Sequence, residues 1–205
     1  MPPSRQRFVA TPGNLTRLIR DDYLDRKRQD GLMTDEVAAL PQTLSFQATW
    51  DVSSPLYFWQ LYSLVGRGLF QRLILIFYES ILGDDEAPWF RDVFAEFGDA
   101  EYHTRGQLRF WLDAFAGGEI YRAGMAGLHI HHRMAVEIMT ERGAQRWMHH
   151  MRIAVNRFRD EFDAIDPRIV ACLDDFLAFA MDVYGAQFDF HVTPWIHSFH
   201  PRARL

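Results

Sequence analysis

From Pro55 onward, apolar residues recur at the three- and four-residue spacing of buried helix faces, and residues 1–54 do not sustain that spacing. Ser53 or Ser54 is placed to cap a first helix with Pro55 at its first position. Leu56, Trp59 and Val65 begin its face, and Gly66-Arg67-Gly68 should end it. Leu69, Phe70, Leu73, Ile76, Phe77 and Ile81 share one side of a second helix, about 69 to 82, stopped by Gly83. Asp84-Asp85-Glu86 before Pro88-Trp89-Phe90 reads as a short acidic-capped helix. Asp99 can cap a helix to Ala116 that turns Leu108, Trp111, Leu112 and Phe115 inward, ended by Gly117-Gly118. Thr140 opens a long helix carrying Trp147, Met151, Ala154, Val155, Phe158 and Phe162. Asp166-Pro167 starts the last one, with Ile169, Leu173, Phe176, Leu177, Ala180 and Tyr184 on its face.

The amino-terminal part follows another pattern. Residues 1–13 read as a loose arm ending at Pro12-Gly13, and Asn14 can cap a helix with Leu15, Leu18, Ile19 and Tyr23 on one face, closed by Gly31. Thr34 to Leu40 allows further turns before Pro41. Between Thr43 and Trp50 the pattern alternates, with Leu44, Phe46, Ala48 and Trp50 on one side, which predicts an extended strand. A lone strand cannot satisfy its own backbone, so it should dock on the body, on a second copy in a homodimer, or on a protein partner. The expected organisation is an extension (1–54), an all-helical domain (55–190) and an irregular tail (191–205) containing Pro194 and Pro201.

Composition narrows the function classes. At 205 residues the chain is one large domain, or a domain with an extension. A net charge of -5 without a basic stripe argues against nucleic acid and against an anionic membrane surface. The apolar run Leu73 to Tyr78 is too short to cross a bilayer, and MPPSRQRF has no signal-peptide core. The single cysteine, Cys172, fits a reducing compartment, with the cytoplasm as the expected address. The 17 Phe and 6 Trp suit a thick core or a pocket for a large flat ligand. No nucleophile elbow, phosphate loop or dinucleotide fingerprint is present.

Chemistry concentrates between Gly117 and Trp147, where His129, His131 and His132 cluster. Adjacent or next-but-one histidines diverge on a helix, and no HExxH spacing occurs, which disfavours a metal centre held by side chains alone. Taken alone, Tyr78 and Trp147 read as core residues with a satisfied polar tip.

The order of several short motifs changes that reading. Phe77-Tyr78-Glu79 is followed by Asp84-Asp85-Glu86 with Trp89-Phe90, then Gln107-Leu108-Arg109-Phe110-Trp111, Gly117-Gly118 with Tyr121, and Arg146-Trp147-Met148. In this order and spacing the chain resembles the truncated haemoglobins, especially group II members, from about Trp59 to Gln187. The resemblance implies an all-α, two-over-two helical sandwich holding haem, with a histidine on the iron and Tyr78 hydrogen-bonding a diatomic ligand. It also implies that Phe94 packs on the haem edge, that Thr104 and Leu108 line the ligand side, and that Trp147 reaches into the pocket.

One departure lies at the iron. Counted back from Trp147, the family's histidine slot falls on Met134, after Arg133. Three readings stay open: His132 through a longer loop, His131 through a small helix shift, or Met134 itself, since methionine also serves as an axial haem ligand. His132 is the first choice for the metal, and His129 is the next candidate should all three fail. Two functions follow from the resemblance. One is a haem globin binding oxygen or nitric oxide, with redox or detoxification chemistry. The other is a globin scaffold without haem that serves as a binding or regulatory module.

Overall fold

The computed structural model describes residues 7–119, 121 and 135–191. Helix α1 (Asn14–Gln29) starts after Gly13 rather than after Asn14, and the Gly13 N–H donates to Thr16 Oγ1 at 2.9 Å. Two short helices follow, α2 (Asp35–Ala38) and α3 (Pro41–Leu44). The strand expected over 43–50 is corrected here, for α3 occupies its start and the rest is irregular. Its backbone groups go to side chains instead of a ladder. The Ala48 N–H donates to Ser63 Oγ at 3.0 Å, the Trp59 indole donates to the Thr43 carbonyl at 3.0 Å, and Gln60 Nε2 donates to the carbonyls of Gln42 (2.9 Å) and Ser45 (3.0 Å). Backbone groups satisfied this way need no partner strand.

Helix α4 (Tyr62–Leu82) begins later than Ser53-Ser54-Pro55 suggests. Those serine hydroxyls bond to Asp51 at 2.6 and 3.0 Å, while the Arg168 guanidinium gathers the Thr49, Asp51 and Ser54 carbonyls, each at 2.8 Å, into a loop. The stop expected at Gly66-Arg67-Gly68 is a kink inside α4. Gly66 has φ +67°, and the Phe8 ring occupies the space a Cβ would need, so only glycine fits. Gly83 ends the helix as expected.

Helix α5 (Pro88–Phe97) carries Phe94 within it. Asp99 caps α6 (Ala100–Ala114) by accepting the Tyr102 N–H at 2.8 Å. Thr140 caps α7 (Glu141–Arg157) by accepting the Gly143 N–H at 3.1 Å. The long helix expected from Thr140 turns at Phe158 into a separate α8 (Arg159–Ile165), and α9 (Ile169–Phe188) follows Asp166. Most of the tail expected to be irregular lies outside the described residues.

α4 packs against both α6 and α7, and α9 runs along α7 and α8, giving an all-α sandwich of two helix pairs. Among the described residues there is no strand, only an isolated bridge between Thr11 and Gly117. No described helix is long and apolar enough to cross a membrane. Trp59, Phe70, Phe77, Trp111, Phe115 and Phe162 are fully buried at the centre. Each such side chain contributes about 1.5–3 kcal/mol over its exposed state. Leu15, Tyr23, Leu24, Ala38 and Ala48 belong to the same continuous core, so residue 54 does not divide two hydrophobic clusters. Tyr23 packs edge-on against Phe58, Trp59 and Phe179, and its hydroxyl and Lys27 both bond to Asp175 on α9.

Asp174 on α9 is buried with neither carboxyl oxygen hydrogen-bonded, and desolvation pushes its pKa up to about 7 despite the fields of Arg159 and Arg152. Its folded value lies above the ordinary 3.8, so the folded state holds the proton more tightly. Stability from this group is therefore full below about pH 4 and is lost as pH rises to about 7. Asp174→Asn should stabilise the protein at about pH 8 by roughly 1–3 kcal/mol and have little effect at about pH 4. Urea denaturation at the two pH values measures this, and equal effects at both would contradict it.

Candidate functional site

A cavity of about 450 Å³ opens among α5, α6, α7 and α9, with the end of α4 forming part of its wall. Tyr78 reaches it from α4, Phe90 and Phe94 from α5, His103 and Gln107 from α6, Trp147 from α7, and Met181 and Tyr184 from α9. The helical spacing that buries Phe77 turns its neighbour Tyr78 toward α6. There the hydroxyl donates to Gln107 Oε1 over a long 3.3 Å, and the ring stacks on His103 with centroids 4.9 Å apart. Burial raises the Tyr78 phenol well above its ordinary value, and Tyr184 and Tyr121 push it the same way, so it stays protonated at neutral pH.

His103 Nε2 lies 2.8 Å from the Phe94 carbonyl, which can only accept, so that nitrogen carries hydrogen. Desolvation lowers the His103 pKa, and the ring is a neutral imidazole near pH 7. Its N–H is thus committed to the backbone. The Thr104 hydroxyl is likewise committed, donating to the Ala100 carbonyl at 2.6 Å. The Tyr78 hydroxyl keeps only a long bond, weak enough to exchange.

A buried charge cluster holds the wall in place. Asp84, in the turn between α4 and α5, accepts from Arg146 Nε at 2.6 Å and from Arg146 Nη2, and faces His150 Nε2 at 2.8 Å. Its Oδ1 also accepts the Glu86 and Ala87 N–H groups at 3.1 and 3.2 Å, at the threshold of α5. The Arg146 hydrogen bonds hold Asp84 well below the usual carboxylate range, against an opposing cost of burial. His150 Nδ1 lies 2.7 Å from Ser80 Oγ on α4, and the ring lies parallel to Phe90 at 6.1 Å. One carboxylate therefore ties together the helices that carry Tyr78, Phe90 and Trp147. The Trp147 ring meets Phe77 edge-on at 4.8 Å.

Of the residues singled out from the sequence, Tyr78, Phe94 and Trp147 line the cavity together. Thr104 and Leu108 are buried on α6, but the wall passes through their neighbours His103 and Gln107. His129, His131, His132 and Met134 lie outside the described residues. The chain reaches the edges of that segment on the cavity wall, at Tyr121 before it and at Ala135 after it. Sequence reasoning named Arg109 only within a motif and gave neither it nor Arg105 a role. They are exposed, stand one turn apart on α6, line the cavity, and form no ion pair with any described residue. Their four-residue spacing was the available signal. Tyr184 was read as core and instead faces the cavity. No group of three or more metal-ligating side chains occurs among the described residues.

The bacterial-like globin family matches residues 60–182, which span α4 through most of α9. The chain belongs to the bacterial-like globin family. Group 2 truncated hemoglobin 3-1 of Lotus japonicus is 32% identical over 102 residues, covering 49% of this chain and 58% of that protein. The match thus spans less than two thirds of that relative. No solved structure gives a significant match. The globin's first 59 residues lie outside the family match, although α1 and α2 share its core.

Proposed function

We propose that this globin binds haem in the cavity and, through it, a diatomic ligand, oxygen or nitric oxide, with redox or detoxification chemistry as its use. The observation that carries the reading is the Tyr78 hydroxyl, protonated and weakly engaged, facing an aromatic cavity in a globin chain. The residues present fit such a group. At about 450 Å³ the cavity falls within the range of small-molecule and cofactor sites. Phe90, Phe94 and Trp147 offer flat apolar faces to a large ring, and Arg105 and Arg109 suit its carboxylates. An axial donor would come from His132, His131 or Met134. When bound, the haem iron supplies diatomic binding and electron transfer.

The chain's own part is to keep water out and to offer a hydrogen bond. His103 and Thr104 are bonded to backbone carbonyls, whereas Tyr78 can donate to a polar ligand atom at the small cost of exchanging its long bond with Gln107. A reducing cytoplasm suits the buried, lone Cys172.

Two measurements test this. Haem added to the purified protein should produce an intense absorption band near the violet edge. Its absence would leave the scaffold as a haem-free binding module. Tyr78→Phe keeps the ring and removes the hydroxyl, so it should leave the fold intact and speed ligand release roughly tenfold or more, as expected for loss of a bond worth about 1.5–3 kcal/mol. An unchanged release rate would remove Tyr78 from the role.

A further inference from the structure

The segment that precedes the family match reaches the cavity wall through one buried carboxylate. Asp113, near the end of α6, is fully buried, and its two oxygens serve different parts of the chain. Oδ1 accepts the Leu15 N–H at 3.1 Å, at the start of α1, and Oδ2 accepts the Tyr121 N–H at 2.8 Å. The Asp113 backbone carbonyl also accepts the Thr16 hydroxyl. Close approach here requires Gly13, because a Cβ at that position would land on Asp113 Oδ1. Thr11 extends the same seam, donating to the Ala116 carbonyl at 2.7 Å and accepting the Gly118 N–H at 2.9 Å. Tyr121 lines the cavity with its ring edge-on to Phe110 at 5.9 Å.

We propose that Asp113 is a positioning residue through which the start of α1 sets the place of Tyr121, and with it the part of the cavity wall that Tyr121 forms. The chemistry requires a carboxylate. Both incoming groups are N–H donors, and an asparagine would turn its own NH₂ toward one of them and leave that donor unpaired. The extension thus acts on the ligand site from outside the family's shared region, and its relevance to function rests on the cavity being that site.

Amide hydrogen exchange on the full chain without haem tests the coupling directly. Thr16→Val keeps the side-chain shape but removes the hydroxyl that joins α1 to Asp113 and accepts the Gly13 N–H. Exchange should speed up about tenfold at both Leu15 and Tyr121, the effect of losing about one hydrogen bond, while amides of α7 keep their rates. Thr16→Ser should restore both. With haem added, Thr16→Val should also shift the absorption band relative to Thr16→Ser, which a purely structural clamp on α1 would not do. Acceleration at Leu15 with Tyr121 unchanged overturns the proposal. Should Thr16→Val fail to fold, Asp113→Asn serves instead, and it is expected to leave one of the two amides unprotected. Protection of both would overturn the proposal. The exchange result is obtained without haem, so failure of haem uptake and failure of this coupling are separate outcomes.

Discussion

Asp84→Ala is expected to lower the unfolding free energy by about 3–5 kcal/mol, the usual cost of breaking a buried ion pair from one side. Asp84 is nearly inaccessible, and it answers Arg146, His150 and two backbone N–H groups at once. Removing it leaves the Arg146 guanidinium, itself only a fifth exposed, without its main acceptor, because Glu86 reaches it at 3.2 Å from an exposed position. Surface pairs such as Arg72 with Glu161 should matter far less, within about 1 kcal/mol. The pH dependence has a definite sign. The folded Asp84 titrates below its ordinary 3.8, so its contribution is complete above about pH 4 and fades as pH falls further. Asp84→Asn should flatten that acid limb while costing less at neutral pH than the alanine change. Acid titration of stability, followed by circular dichroism, measures both, and an Asp84→Ala protein as stable as the parent would mean that Arg146 finds another acceptor.

Much of the helical body was readable because its signals are local. Asp99 and Thr140 cap where they should, Gly83 stops α4, and the apolar faces of α4, α6 and α9 turn inward as their spacing predicts. The readings that failed depended on distant partners. The alternation over 43–50 looks like a strand only until Ser63, Trp59 and Gln60 take its backbone groups. The pair Ser53-Ser54 could cap a helix, but Asp51 and Arg168 draw it into a loop. Gly66 reads as a helix stop, and Phe8, 58 positions earlier in the chain, turns it into a kink. The same limit applies to the site. Tyr78, Phe94 and Trp147 came from motif order, whereas the Asp84 clamp joins residues more than 60 positions apart with no pattern to mark it.

Alanine replacement at His132, His131 and Met134 should affect the haem spectrum unequally, with His132 first, His131 second and Met134 third. Neighbouring side chains leave the backbone in different directions, so one of the three is expected to serve as the iron's donor and the other two are not. The order rests on cost. Residues 136–138 form a single three-residue turn between that segment and the cap of α7, and extra length in such a connection is cheap. Rotating α7 is expensive by comparison, since Arg146 and His150 fasten it to Asp84 and Met148, Met151 and Val155 bury its inner face. Trp147 therefore stays where it is, and extra chain length before α7 is the cheaper adjustment, the ground on which His132 is ranked first. Loss of the axial donor should abolish or shift the absorption band in one variant while far-ultraviolet circular dichroism stays near that of the parent. Should all three variants keep the parent spectrum, His129 becomes the donor to test. A band lost only in Met134→Ala would instead place a thioether on the iron, in the slot where the family carries histidine.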